Sequence, residues 1–324
     1  MLKVTVVMAV YNSHRYIIQQ LDSILSQSVP VDEVIIYDDA STDDTVSVIS
    51  GYIETNALTS WHLYTHDRNQ GFVNTFTDAM RQAHGDIVIL SDHDDIWLDN
   101  KTAVIKETFE KHDEVLSLAT GFVKIDEKDH PITERNRFGR ANNGLIRRTV
   151  KKGALNQMTF RDCAVYNIAP GCTCAFRSGI CMEFLETEDA LPHDWKINLI
   201  AACRGGLFYL DVPTTKYRLY PGNTYGLGHQ SMYEKRIRLC KSALEEKKAI
   251  LKLVQRYPEG NRDNIRYARR VERLFEKRYV FIQSGKVLRS GLPLLLRSMG
   301  TGHLYESIAM DIVSVLKYRY KRGE

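Results

Sequence analysis

Residues 89–98 read ILSDHDDIWL. Three carboxylates, Asp92, Asp94 and Asp95, fall within four positions, after one apolar run and before another apolar pair. Carboxylates this close repel one another, and an isolated cluster of this length reads as a solvated turn. Here the apolar residues on either side pin the loop at a point where a strand is ending. Asp92 and Asp94 are two apart, so in extended backbone both side chains point the same way. A pair of hard oxygen donors at that spacing suits Mg2+ or Mn2+ shared with phosphate oxygens. The ion, as the largest local charge, would resolve the repulsion.

The elements that must place this knot alternate along the first hundred residues. KVTVVMAVY (3–11) is a β-rich run, and RYIIQQLDSILSQS (15–28) has apolar residues at helical spacing before Pro30. DEVIIYDD (32–39) predicts a second buried strand. Ser41 and Asp44 then form a capping signature for a helix. WHLYTH (61–66) is a third strand, 71–84 a helix, GDIVIL (85–90) a fourth strand, and 99–112 a helix opened by Asp99 or Asn100. Strand-helix alternation predicts an α/β fold with a mostly parallel sheet covered by helices. Ligands in such sheets bind beyond the carboxyl ends of the strands, where Tyr11-Asn12, Asp38-Asp39 and Asp92-His93-Asp94 all fall. A further strand is expected at 115–125, a polar connection at 126–160, a helix pair over 182–204 and a strand from Gly206.

Composition suits a soluble globular chain: 324 residues, 44% hydrophobic and 26% charged. Net charge is +4 but lopsided, for residues 232–324 hold 22 Lys/Arg against 10 Asp/Glu. The expected division is therefore a body at 1–230 and a basic, amphipathic helical extension at 231–324. No secretory leader or stretch of 18 apolar residues reads from the sequence. Six cysteines without a CxxC pair read as reduced thiols, and Cys172, Cys174 and Cys181 fit no common zinc spacing.

Three stretches taken in order resemble the family 2 glycosyltransferases: VTVVMAVYNSHRYIIQQLDSILSQSVPVDEVIIYDDASTDDT, RNQGFVNTFTDAMRQAHGDIVILSDHDDIWL and HDWKINLIAA. Within the family the chain is similar to the rhamnosyltransferase-like branch, whose acidic motif usually reads SDQDDIW. The resemblance covers about residues 3–220 and implies a GT-A fold, a nucleotide-diphosphate-sugar donor, a divalent cation and inversion at the anomeric carbon. Carried onto matching positions, it implies that Ala9 and Tyr11 line the base pocket and that Asp39, with Asp38 beside it, accepts from the pyrimidine imide. Asn69 and Gly71 would close over the nucleotide. Asp94 would ligate the metal, with Asp92 against the ribose or the metal. Asp95 would orient sugar hydroxyls or cap the turn, and Trp97 would border the sugar or acceptor.

His193-Asp194-Trp195 matches the family's general-base motif, which implies Asp194 as the base, with His193 and Trp195 beside the acceptor. Asp194 as a plain helix cap is the bland alternative. NIAPGCTCAFR (167–177) matches the stretch next to the acceptor cleft, where Gly171 would let backbone approach the sugar or would form a bulge. Two departures stand out. Ala40 occupies the position of the family's usual Gly after the acidic pair, and Tyr220 occupies that of the branch's His in Y-R-x-H. His229 could substitute for the latter or be solvated, and Arg218 or Arg177 could neutralise diphosphate oxygens.

Basic and apolar residues interleave through 262–320, which suits an anionic membrane leaflet carrying a lipid-linked glycan acceptor. Packing on the body or on a second copy as a homodimer is the alternative, and no nucleic-acid motif is present. The sequence therefore predicts a metal-dependent inverting glycosyltransferase at the cytoplasmic face of the membrane. Rhamnose from dTDP-rhamnose is the first donor and a UDP-hexose the second. A nucleotidyltransferase would need a Gly-rich phosphate loop that AVYNSHRY lacks, and a silent glycan-binding protein would have lost the acid pair or the base.

Overall fold

The structure is a computed structural model that describes residues 1–133, 140–186, 191–220, 232–298 and 304–322. The chain forms two compact units, the first made of residues 1–158, 167–188 and 192–223, the second of 159–166, 189–191 and 224–324. The expected boundary at 230 and His229 both lie outside the described residues.

Unit 1 is built on one nine-stranded sheet. Its strands are β1 (Val4–Val10), β2 (Glu33–Asp38), β3 (Trp61–Thr65), β4 (Ile87–Ser91), β5 (Ile96–Trp97), β6 (Ser117–Ile125), β7 (Leu155–Gln157), β8 (Cys174–Arg177) and β9 (Leu207–Arg218). The order is β3-β2-β1-β4-β8-β6-β9-β5, with β7 also on β9. β3, β2, β1 and β4 are parallel, as the alternation of apolar runs and helices predicts. Every residue of β1 is buried, because a strand between two parallel neighbours is covered on both faces. β8 enters antiparallel between β4 and β6, and β5 and β7 pair antiparallel with β9. The sequence pattern does not announce these three short strands.

The helices of the first unit are α1 (Ile17–Leu25), α2 (Thr45–Thr55), α3 (Phe72–Arg81) and α4 (Lys101–Lys111). After a four-residue helix α5 (Phe160–Cys163), which belongs to the second unit, come α6 (Gly179–Leu185) and α7 (His193–Cys203). Val6, Met8, Ile36, Ile89, Phe109 and Leu118 are among the residues of its main core. The expected cap at Ser41 is not made. Helix α2 begins at Thr45, whose N–H donates to Asp43 at 3.0 Å, while Ser41 turns back to Asp38. All six cysteines are buried free thiols.

Unit 2 is helical: α8 (Met232–Val254), α9 (Arg262–Ser284), α10 (Leu292–Ser298) and α11 (Leu304–Arg322), with a wide turn at 287–291 leading into α10. Gly285 takes φ +63 and ends α9, a conformation that glycine adopts without a Cβ clash. Val165, Leu244, Phe275, Phe281, Ile308 and Ile312 lie in its core. Buried Asp311 accepts from Arg236 Nε at 2.5 Å and Arg278 Nε at 2.7 Å, which ties α11 to α8 and α9.

Candidate active site

The carboxyl ends of β1, β2 and β4 meet at one rim because parallel neighbours end together. The exits of β1 and β2 are laced to each other. Asn12 N–H donates to Ser41 Oγ at 2.9 Å, Asn12 Oδ1 accepts from Thr42 N at 2.8 Å, and Asp38 accepts Ser41 N–H at 2.8 Å. Ala40, where the family has Gly, sits at φ +61 in the left-handed region. Tyr11 stands exposed on this rim and Ala9 is buried.

Asp39 holds the loop before α3. Its two oxygens accept the N–H groups of Gln70 at 2.7 Å and Gly71 at 2.8 Å, and His66 bridges it to Asp78. Burial opposes the charge, but these hydrogen bonds outweigh it and keep the Asp39 carboxyl below its ordinary range. Gly71, at φ +85, is the residue that lets the chain turn into α3, and Asn69 is exposed in the same loop. Asp39 thus holds the loop of Asn69 and Gly71 through backbone, which the sequence reading did not anticipate.

The acidic knot lies between β4 and β5. Asp95 is fully buried and accepts Arg218 N–H at 2.9 Å. Burial, then the charge of Asp94, pushes its carboxyl up to about 7. Asp92 is pushed well above the usual carboxylate range by desolvation, then by the charges of Asp95, Asp94 and Asp194. Oxygens of Asp92 and Asp95 and Sγ of Cys172 lie within 4.8 Å of one another. Carboxylates raised by burial and then by one another's charge fit a bound dication, which would restore their ionised forms. Tyr220, in the place of the branch's His, makes a side-chain hydrogen bond to Asp94, and burial raises its phenol. A phenol O–H donates where the imidazole would ligate or donate.

Two buried cations frame the knot, and neither was read correctly from residue type alone. Arg218 was expected against the donor's diphosphate, yet it is 1% exposed and turned into the protein. Its Nε donates to Asp94 O at 2.7 Å, Nη2 to Gln19 Oε1 at 2.8 Å, and Nη1 to Asp126 O and the Asp129 carboxylate. The guanidinium also lies 4.3 Å over the Tyr16 ring. It clamps the loop bearing Asp94 to α1 and to the turn after β6. Lys101, overlooked in the sequence, is fully buried at the start of α4. Its Nζ donates to Cys172 O at 2.5 Å and Thr215 Oγ1 at 3.0 Å, and burial pulls it down to about 8. Trp97 lies beneath that ammonium, 4.0 Å from Nζ, as part of the core rather than at a sugar-facing surface.

Asp194 lies in the first turn of α7, 8% exposed. Its Oδ1 accepts its neighbour Trp195 N–H at 2.7 Å and its Oδ2 accepts Asn167 Nδ2 at 2.9 Å. The chain continues inward, Asn198 Nδ2 donating to Asn167 Oδ1 at 3.2 Å and Ser117 Oγ to Asn198 Oδ1 at 2.8 Å. Burial raises Asp194 to about 6, with the hydrogen bonds pulling the other way. Asp194 therefore does more than cap a helix: its oxygens are oriented from two sides. His193 stacks on Phe76 with centroids 4.0 Å apart, and burial lowers it to about 3, so it is neutral. Both of its ring nitrogens are buried without a hydrogen-bond partner. A Cβ on Gly171 would stand 3.3 Å from His193 Nε2 and 3.4 Å from Asp194 Cβ, which explains the glycine by close packing on the motif. Trp195 is buried.

Comparison with known proteins agrees with this geometry. The profile described as glycosyl transferase family 2 matches residues 5–180. Among curated proteins, the putative glycosyltransferase EpsE of Bacillus subtilis is 30% identical over 125 residues, 39% of this chain and 45% of that one. The poly(ribitol-phosphate) beta-N-acetylglucosaminyltransferase TarS of Staphylococcus aureus is 32% identical over 120 residues, 36% of this chain and 20% of that one. The matched stretches thus span less than half of these relatives' own length. Among solved structures, residues 1–349 of S. aureus TarS in complex with UDP-GlcNAc superpose with a TM-score of 0.55 at 16% identity, covering 99% of this chain and 92% of that one. The mannosyltransferase PcManGT of Pyrobaculum calidifontis, in complex with GDP-Man and Mn2+, gives 0.50 at 18% identity, covering 100% and 88%. At that identity the structures speak for the GT-A fold alone. With more than half of its length matched by the profile, the chain belongs to glycosyl transferase family 2.

Proposed function

We propose that the chain is an inverting, metal-dependent transferase that moves a hexosyl group from a nucleoside diphosphate sugar to a hydroxyl of a growing, lipid-linked surface polysaccharide. The observation that carries this reading is Asp194, a desolvated carboxylate oriented by Asn167 and Trp195 N–H, whose charge is felt by Asp92. A base and the acid knot in electrostatic contact are the two ends of a displacement reaction.

Asp194 takes the proton of the acceptor hydroxyl while that oxygen attacks the anomeric carbon and the bond to the diphosphate oxygen breaks. Attack from the face opposite the leaving group inverts the centre. His193, neutral and with both buried ring nitrogens unpartnered, would hydrogen-bond a sugar hydroxyl that reaches them beside the base. Trp195 and Gly171 wall that side. Tyr11 stacks on the nucleobase at the rim next to Ala9, Asp38 and Asp39, and the loop of Asn69 and Gly71 closes over the ribose. A divalent cation, Mn2+ or Mg2+, would be held by Asp94 and Asp92 and would supply positive charge for the departing diphosphate. Asp95, grouped with Asp92 and Cys172, ties the same loop to Arg218 N–H.

Rhamnose from dTDP-rhamnose is the first donor to test. The UDP-GlcNAc complex of TarS makes a UDP-hexose the second. The reaction belongs at the cytoplasmic face of the membrane, where nucleotide sugars are made. No helix among the described residues is long and apolar enough to cross a bilayer. A thermal-shift screen of nucleotide sugars with and without Mn2+, followed by transfer assays, tests the proposal. A Mn2+-dependent rise with a dTDP- or UDP-sugar, and loss of transfer in Asp94→Ala and Asp194→Asn, are expected. Retained turnover in Asp194→Asn would move the base elsewhere.

A further inference from the structure

Unit 2 carries a face that its own core does not use. Helix α9 turns Val271, Leu274, Phe275 and Phe281 inward. On its outer side stand Arg266, Arg269, Arg270, Arg273 and Lys277, all exposed and spaced three and four apart. With Leu274 they line a concavity of about 370 Å3. Glu272 and Glu276 of the same helix act on Lys248 of α8. Among the described residues, Arg266 alone of the five has an ion pair, with Asp263 at 3.0 Å.

The neighbouring helices add an apolar surface. Beyond Lys277 the α9 stripe continues in exposed Val280. Leu288 and Leu296 are 79% and 68% exposed, with Leu292 exposed between them at a four-residue spacing. Helix α11 buries Ile308, Ile312 and Val315 yet also exposes Met310, Val313 and Leu316. A helix that is apolar on both sides requires a cover on both. Exposed Arg289, Arg297 and Lys317 border these leucines.

We propose that this face docks on an anionic lipid surface, its leucines entering the acyl boundary and its cations meeting headgroup phosphates. Charge decides between a leaflet and a second copy of the chain. A twofold contact is self-complementary in position, so it sets this basic stripe against its own image, in a segment of 22 basic and 10 acidic residues. An anionic leaflet carries the opposite sign. The inference stands on unit 2 alone and is independent of the donor and of Asp194.

The full chain is sedimented with vesicles of phosphatidylcholine, and with vesicles of phosphatidylcholine mixed with phosphatidylglycerol, at low and at high salt. Pelleting with the anionic vesicles at low salt, and release at high salt, is expected. The variant R269Q/R270Q/R273Q should lower partition into anionic vesicles roughly a hundredfold with an unchanged melting temperature. L292S/L296S should lower it about tenfold or more, since these side chains contribute buried apolar area rather than charge. Absence of pelleting with anionic vesicles at low salt, or equal pelleting with neutral ones, overturns the proposal. So does a dimer in sedimentation velocity that L292S/L296S dissolves while vesicle binding stays unchanged.

Discussion

Asn167→Leu isolates what orients the base. Asn167 Nδ2 donates to Asp194 Oδ2 at 2.9 Å, and this bond favours the ionised carboxylate. A hydrogen bond to a charged group is worth about 1.5–3 kcal/mol. One pKa unit corresponds to about 1.4 kcal/mol, so losing the bond should raise Asp194 by about 1 to 2 units. With Asp194 as the proposed base, protonation below about 6 predicts activity that rises with pH through that value. In Asn167→Leu the acid limb of kcat/KM should move to about 7 to 8, with a loss of roughly 5-fold to 50-fold near pH 6 and near recovery on the alkaline plateau. The assay is release of nucleoside diphosphate at saturating Mn2+ with acceptor present, across the pH range. Linkage adds a second readout. A carboxyl whose folded pKa of about 6 exceeds its unfolded value contributes stability that is full below the unfolded pKa and is lost as pH rises through the folded one. In Asn167→Leu that loss should continue to higher pH. A lowered plateau with an unmoved acid limb would refute the reasoning and reduce Asn167 to a packing residue.

Other perturbations probe the frame around the site. Arg218→Met should cost about 3 kcal/mol in denaturant unfolding and raise the Mn2+ concentration needed for half-maximal transfer. Arg218→Lys should not restore the latter, because one ammonium cannot reach four acceptors in three segments. Asp311→Ala leaves the partly buried Arg236 and buried Arg278 without their shared carboxylate and should lower stability by about 3–5 kcal/mol in a thermal melt. Ala40→Gly relieves a left-handed residue and should raise stability by about 1 kcal/mol with donor affinity unchanged; a fall in stability would show that φ +61 is not strained.

The parallel half of the sheet was legible because β1, β2 and β4 are continuous apolar runs separated by helical spacing, and their ends marked the rim. The acidic knot was legible because apolar residues on both sides pin its three carboxylates where β4 ends. β5, β7 and β8 were not, since strands of two to four residues are held by their partners rather than by their own pattern. Arg218 and Lys101 were misjudged or missed for a related reason. Their acceptors lie 71 to 199 positions away in sequence, and a cation's type says nothing of whether such acceptors exist. Trp97 likewise sits against a core whose depth appears only when β5 meets β9. Asn167 left a signal, its place in the NIAPGCTCAFR block, but its hold on Asp194 needed the fold.

The ammonium of Lys101 at the knot bears on how the proposed cation would be coupled to folding. Because a covalently attached positive group already offsets part of the rim's negative charge, the polypeptide need not wait for a metal to finish folding. Chelator treatment should leave its melting temperature nearly in place while abolishing transfer, and repletion should bring activity back without a refolding step. On the proposed reading the ion is an exchangeable part of the working machine, and the lysine is the fixture that keeps its seat open.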